Sequence, residues 1–228
     1  MISELDVVIP TLNAATSLAR TLAALGMPAD LSLTVTVCDG GSRDDTQSIA
    51  REGGARVVTA PAGRGRQLAA GADAGAAPWL FFLHADSRPG KGWTDAVKGF
   101  IAAPANEDRA AYFRLHFDSS DPRARRIERL AAWRSRTLGL PYGDQGLVMT
   151  RAFYRRLGGF AAVPLIEDVD LVRRIGRRRL VPLAADMITS ARRYERDGWL
   201  LRPLRNLSCL ALYFAGVPPR VIRHLYGR

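Results

Sequence analysis

Two cysteines in 228 residues leave little room for sulfur chemistry. Cys38 and Cys209 lie far apart, match no metal-binding spacing and sit in apolar surroundings, so buried free thiols in a reducing cytoplasm are expected. No uninterrupted apolar run approaches the ~20 residues that a membrane-spanning helix needs. The longest candidate, 207–217, is too short and lies close to Arg202, Pro203 and Arg205. Residues 1–10 lack a basic stretch followed by a long apolar one, so no signal peptide is expected. Internal repeats, low-complexity linkers and a disorder-type composition are also missing. No P-loop pattern occurs. Gly63-Arg64-Gly65 begins like a dinucleotide fingerprint, but Leu68 stands at its third glycine position and the loop does not leave the first strand.

What remains is an ordinary globular composition, 47% apolar, with charge unevenly distributed. Residues 1–100 hold 9 basic and 10 acidic side chains; residues 101–228 hold 24 basic, all of them arginine, and 12 acidic. That balance suits nucleic acid, an anionic membrane surface, or a phosphate-rich small ligand; compositional bias toward Arg and Ala is the bland alternative.

The chain is organised around residues 79–86. Trp79 to Leu83 reads as a fully buried strand, and Asp86 stands just past its end, where ligands bind in open α/β sheets. Asp86 can hold a divalent metal, with His84 two residues before it, or it can cap the next turn. Around it the pattern alternates. Strands are expected at 5–10, 33–38 and 55–59, and a helix carries Leu18, Leu22 and Leu25 on one face. The turn Asp39-Gly40-Gly41-Ser42 leads into a helix start, and Gly63-Arg64-Gly65-Arg66-Gln67 opens another helix that could cradle phosphates or remain a solvated turn. Such strand–helix repeats describe a parallel α/β sheet.

Further along, helices are expected at 92–102 and 123–138, the second with Ile127, Leu130, Ala131 and Trp133 on its apolar face. Strands are expected at 110–117, 147–149 and 180–184. Glu167, Asp168 and Asp170 open a helix, where acids are favoured at the N-terminus; one of them could equally act as a general base. Residues 199–226, leucine and aromatics interleaved with arginine, could pack on the domain, dimerise, or lie in a membrane interface. The expected organisation is one domain over 1–190 with a helical extension over 191–228.

Ile9-Pro10-Thr11-Leu12-Asn13, Asp39-Gly40-Gly41-Ser42-Arg43-Asp44, His84-Ala85-Asp86 and Glu167-Asp168 occur in the order and spacing of glycosyltransferase family 2, which the chain resembles. The Gly63-to-Gln67 run, Gly143-Asp144-Gln145-Gly146 and Ser190-Ala191-Arg192-Arg193 look like the bacterial radical-SAM/selenodomain-associated transferases within it. The resemblance implies a GT-A fold with a mainly parallel central sheet flanked by helices. It implies an inverting transfer of a sugar from a nucleotide-sugar, a UDP-sugar first, with Mg²⁺ or Mn²⁺.

Carried over, Pro10, Thr11 and Asn13 lie beside the nucleotide, Asp39 binds its base or ribose, and Arg66 holds the nucleotide or its phosphates. Asp86 matches the last carboxylate of the D-x-D motif and holds the metal at the diphosphate. Asp168, with Glu167 beside it, matches the catalytic base. Asp144, Gln145, Arg192 and Arg193 complete the nucleotide-sugar set. The first D-x-D position is His84, and Gly40 and Cys38 replace acids frequent in the family. The competing readings are a nucleotidyltransferase of similar fold and a basic nucleic-acid- or membrane-binding protein without catalysis. The first wants a glycine-rich loop where Pro10-Thr11-Leu12-Asn13 stands. The second finds little aromatic interleaving among the arginines, so no nucleic-acid partner is expected. A cytoplasmic enzyme, in contact with the inner face of the membrane and acting on a lipid-linked or lipophilic acceptor, is the resulting expectation.

Overall fold

The structure, a computed structural model, describes residues 3–163, 165–219 and 221–222. The expected start of the domain at Met1 and the end of the C-terminal region at Tyr226 lie outside them. Four strands, β1 (Ser3–Thr11), β2 (Leu31–Asp39), β3 (Arg56–Thr59) and β4 (Trp79–Phe82), pair in parallel in the order β3-β2-β1-β4. Helices α1 (Ala15–Leu25), α2 (Thr46–Glu52) and α3 (Arg64–Ala74) connect them. Leu5, Val7, Val8 and Ile9 of β1 are fully buried, because both faces of a parallel sheet are covered. Val7 and Ile9 point into one apolar cluster with Phe81, Trp93 and Phe113; Val8 points into the other, with Leu80, Phe82 and Leu171.

Beyond β4 the sheet changes character. A short strand β5 (Ser87–Pro89) and helix α4 (Trp93–Ile101) precede β6 (Ala110–Phe117). Then come α5 (Pro122–Trp133), β7 (Leu147–Thr150), α6 (Arg151–Arg156), α7 (Glu167–Ile175) and β8 (Leu180–Thr189). The order continues β4-β7-β6-β8-β5, with β7 antiparallel to both neighbours, β6 and β8 parallel, and β5 antiparallel to β8. The last helices are α8 (Arg192–Asp197) and α9 (Leu201–Phe214). They pack on the sheet domain: Ala191 and Trp199 join Phe117 and Ala131, while Cys209 and Leu210 join Val169 and Val172.

Two expectations need correction. The face of α5 buries Ala124 and Ala131, but Leu130 and Trp133 stand out in solvent at 59% and 56% exposure. The helix turns its small residues inward because α5 lies close against β6. The final strand is ten residues long rather than five, since β8 runs on to become the partner of β5, which its three residues and a proline conceal from any periodicity test. Among the described residues no helix is long and apolar enough to cross a membrane.

Candidate active site

β1 pairs with β2 on one side and β4 on the other, so the strand order reverses there and a crevice opens at the carboxyl ends. Thr11 and Asp39, register partners at those ends, are almost entirely buried. Thr11 Oγ1 donates to Asp39 Oδ1 at 3.2 Å, and the Gly40-Gly41-Ser42 turn folds back so that the Gly41 and Ser42 N–H groups donate to Oδ2 at 3.0 and 2.9 Å. The Ser42 hydroxyl donates to Oδ1 at 2.5 Å, and Gln47 Nε2 adds a fifth bond at 2.9 Å. Burial pushes the Asp39 carboxyl up, but the bonds from Ser42, Gln47 and Gly41 outweigh it and hold the group below the ordinary range. Gln67 of α3 donates to both Thr11 O and Cys38 O, at 2.6 and 2.8 Å, tying the strand ends together. Asn13, at φ +52, is exposed and accepts from Arg43 N at 2.9 Å, whereas Pro10 is buried within β1.

The other end of the crevice lies past β4 and at the start of α7. Asp86 keeps about a third of its side chain in solvent, and Arg193 Nη2 stands 3.5 Å from its Oδ2. Asp168 is held from two sides: Gly143 N donates to Oδ2 at 2.7 Å and Val169 N to Oδ1 at 2.8 Å. Ile166, two residues earlier, sits at φ +68, a conformation a β-branched residue adopts only under constraint. That bend sends Glu167 inward and Asp168 outward. Glu167 is 1% exposed and meets Arg64 Nε at 2.6 Å. Gly65 permits this approach, since a Cβ there would come within 2.2 Å of Ala161 O and 3.3 Å of Glu167 Cβ.

Arg64, His84, Asp86, Asp144, Asp168 and Arg193 line one cleft that is open to solvent. His84 is pushed down to about 4, first by burial and next by the Arg64 guanidinium, against the pull of Asp86 and Asp168; its imidazole is neutral at pH 7. Asp144 is pushed up to about 6 by burial, with Arg134 pulling it down and Asp168 and Asp86 raising it further. Its Oδ1 is buried and has no hydrogen-bond partner among the described residues. Cys38, buried within β2, is pushed up to about 12 by that burial, which disfavours the reactive thiolate.

The structure thus brings Asp86, Asp144, Asp168 and Arg193 to one place. It does not bring the rest. Arg66 is exposed and outside the cleft lining, and Arg64 stands there in its stead. Arg192 is exposed too, 3.5 Å from Thr16. Glu167 orients Arg64 and does not face the cleft. Gln145 is an internal brace: 1% exposed, it accepts from Arg134, Ser135 and Tyr142 N and donates to Phe113 O. Helical phase decides these outcomes, because residues two apart on α3 or adjacent on α8 point in different directions. The alternation of arginine with glycine in 63–67 did not disclose which guanidinium would face inward.

A divalent cation fits this end by donor chemistry, without a finished cage. Among the described residues no three His, Cys, Asp or Glu side chains converge on one point. Asp86 offers a hard oxygen open to solvent, and Mg²⁺ or Mn²⁺ ordinarily completes its shell with water and substrate phosphates.

Residues 6–157 match the family model described as Glycosyl transferase family 2. No sequence among proteins of curated function matches the chain. Among solved structures, glucosyl-3-phosphoglycerate synthase from Mycobacterium tuberculosis, in complex with Mn²⁺, UDP and glucosyl-3-phosphoglycerate, is similar with a TM-score of 0.59 and 19% identity, over 82% of this chain and 70% of that one. S. aureus TarS 1–349 is similar with a TM-score of 0.64 and 14% identity, over 82% of this chain and 60% of that one. Its complex with UDP-GlcNAc gives 0.61 and 14%, over 82% and 58%. These likenesses establish the fold: an α/β GT-A architecture, with a mainly parallel sheet between helices.

Proposed function

The chain belongs to glycosyltransferase family 2, and on that premise we propose that it moves a hexosyl group from a UDP-sugar to an acceptor hydroxyl with inversion at the anomeric carbon. The observation that carries this reading is Asp168. It is a carboxylate fixed by two backbone N–H groups, lining the same cleft as Asp86 and Arg193. Such a carboxylate accepts the proton of the acceptor hydroxyl as that oxygen bonds to the anomeric carbon. The bond from this carbon to the β-phosphate oxygen breaks on the opposite side, and UDP leaves with the electron pair. One displacement inverts the centre, and no sugar–enzyme bond is needed.

Negative charge then grows on the diphosphate. The guanidiniums of Arg193 and Arg64 are pre-positioned donors for it, Arg64 being held in place by Glu167. Asp86 is the residue that would hold Mn²⁺ or Mg²⁺, which when bound neutralises the diphosphate. Asp144, whose Oδ1 has no hydrogen-bond partner among the described residues, takes a hydroxyl of the donor sugar. The UDP assignment draws support from the mycobacterial and staphylococcal structures, which hold UDP and UDP-GlcNAc.

The test is thermal stabilisation by UDP-, GDP-, dTDP- and CMP-sugars with and without Mn²⁺, on wild type, Asp86→Ala and Asp168→Asn. One donor is expected to raise the midpoint in a metal-dependent way. The shift should be lost in Asp86→Ala and kept in Asp168→Asn, whose turnover of that donor falls by roughly 10²–10⁴. No shift with any donor, in a folded protein, refutes the reading.

A further inference from the structure

The cleft has two ends of different chemistry. The charged end holds Asp86, Asp168 and Arg193. The other is walled by Leu165 and Ile166 ahead of α7, Val169 on it, and Leu210 on α9, with Phe117 and Tyr194 at its side. Val169 and Leu210 belong to one apolar cluster. The arginine at this end, Arg202, is 8% exposed and paired with Asp197 at 3.1 Å, so the wall offers no open site for an anionic group. One polar atom is set into it. Asn206 Oδ1, one helical turn before Leu210 and therefore on the same side of α9, is buried without a hydrogen-bond partner among the described residues. A buried amide oxygen in that condition calls for a donor, and a diphosphate brings only acceptors.

We propose that this apolar end is the acceptor subsite, and that the acceptor is a hydroxyl-bearing amphiphile. Its hydrocarbon body lies along Leu165, Val169 and Leu210, and one hydroxyl donates to Asn206 Oδ1. A second hydroxyl reaches Asp168 and is the nucleophile of the displacement described above. The proposal rests on the transferase reading and deepens it, since the wall decides what kind of molecule can present that hydroxyl.

The experiment is calorimetric titration of the full chain with n-alkyl β-glucosides from methyl to octyl, each below its aggregation threshold. Methyl glucoside should bind too weakly to measure, and each further methylene should tighten Kd about fourfold until the wall is filled. Leu210→Glu should abolish the chain-length dependence. Asn206→Leu should weaken every member by about 2–10-fold with the length dependence intact. The double change Leu204→Ser/Leu207→Ser, on the outward side of α9, should alter nothing. A Kd independent of chain length overturns the proposal, as does a dependence that survives Leu210→Glu or disappears in the outward double variant. Each variant is also titrated with the stabilising UDP-sugar. A retained donor shift with no length dependence sinks this inference alone, whereas loss of all donor binding in wild type sinks the transferase reading beneath it.

Discussion

Asp144 and His84 share a cleft and are displaced from their solution behaviour in opposite ways. Asp144 rises from 3.8 to about 6, so between those values the folded chain keeps a proton that the unfolded chain has released. Its contribution to stability therefore declines as pH rises through that window, and above it the fold carries a poorly solvated charge. His84 falls from 6.5 to about 4, so the unfolded chain binds a proton that the folded one refuses, and stability declines as pH drops through that window. The two slopes oppose one another near pH 5 in wild type. Asp144→Asn removes one of them. Urea unfolding should find this variant more stable than wild type by on the order of 2 kcal/mol at pH 7.5, less than the full electrostatic equivalent because the side chain keeps some water. By pH 4 the advantage should vanish. A difference that ignores pH would mean that the carboxyl is fully wetted.

At the scale of elements, α9 has two sides. Cys209 and Leu210 face the domain, while Leu201, Leu204, Leu207 and Phe214 lie outward at 50–70% exposure with Arg205 among them. Leucine mixed with arginine on a surface helix suits the boundary of an anionic bilayer. Flotation with phosphatidylserine vesicles should carry the protein upward at low salt, and Leu204→Ser/Leu207→Ser should leave it at the bottom. Equal behaviour of the two proteins would rule out this helix as the contact. The buried elements were the ones legible in the sequence. β4 and residues 7–9 of β1 announce themselves as apolar runs because they are covered on both faces, and β2 does so by its alternation of Leu and Val with Thr. β5 and the far half of β8 stayed hidden, since partners distant in sequence create them. The site followed the same rule. Asp86 stands out by its place at a strand end, and Asp168 is picked from three acids at a helix start only by the resemblance to glycosyltransferase family 2. The choice of Arg64 over Arg66, the bracing role of Gln145 and the inward turn of Glu167 depend instead on helix phase and on the left-handed bend at Ile166.

Across the whole molecule, the balanced half and the arginine-rich half are joined by a buried clasp. Asp6, in the middle of the parallel sheet, accepts from Ala77 N at 3.0 Å and pairs with Arg151, which also donates to Ala77 O at 2.8 Å and to Ala72 O. Both side chains are under a tenth exposed. Arg151→Ala strands the Asp6 carboxylate and should cost about 3–5 kcal/mol in urea unfolding. Adding Asp6→Asn should return part of that loss, because the remaining group is then neutral; no recovery would show that the guanidinium matters only for its volume. The position of α9 has a consequence in time. Every strand, Asp86 and Asp168, and Arg64 and Arg193 are translated before α9, which adds Arg202, Asn206 and Leu210 to the cleft lining. Domains begin folding from the N-terminal side during synthesis, so on the proposed reading the donor side of the cleft emerges before α9 adds to the acceptor side. Until α9 docks, an emerging chain that works in the proposed way would hold a nucleotide-sugar with only water to receive the sugar.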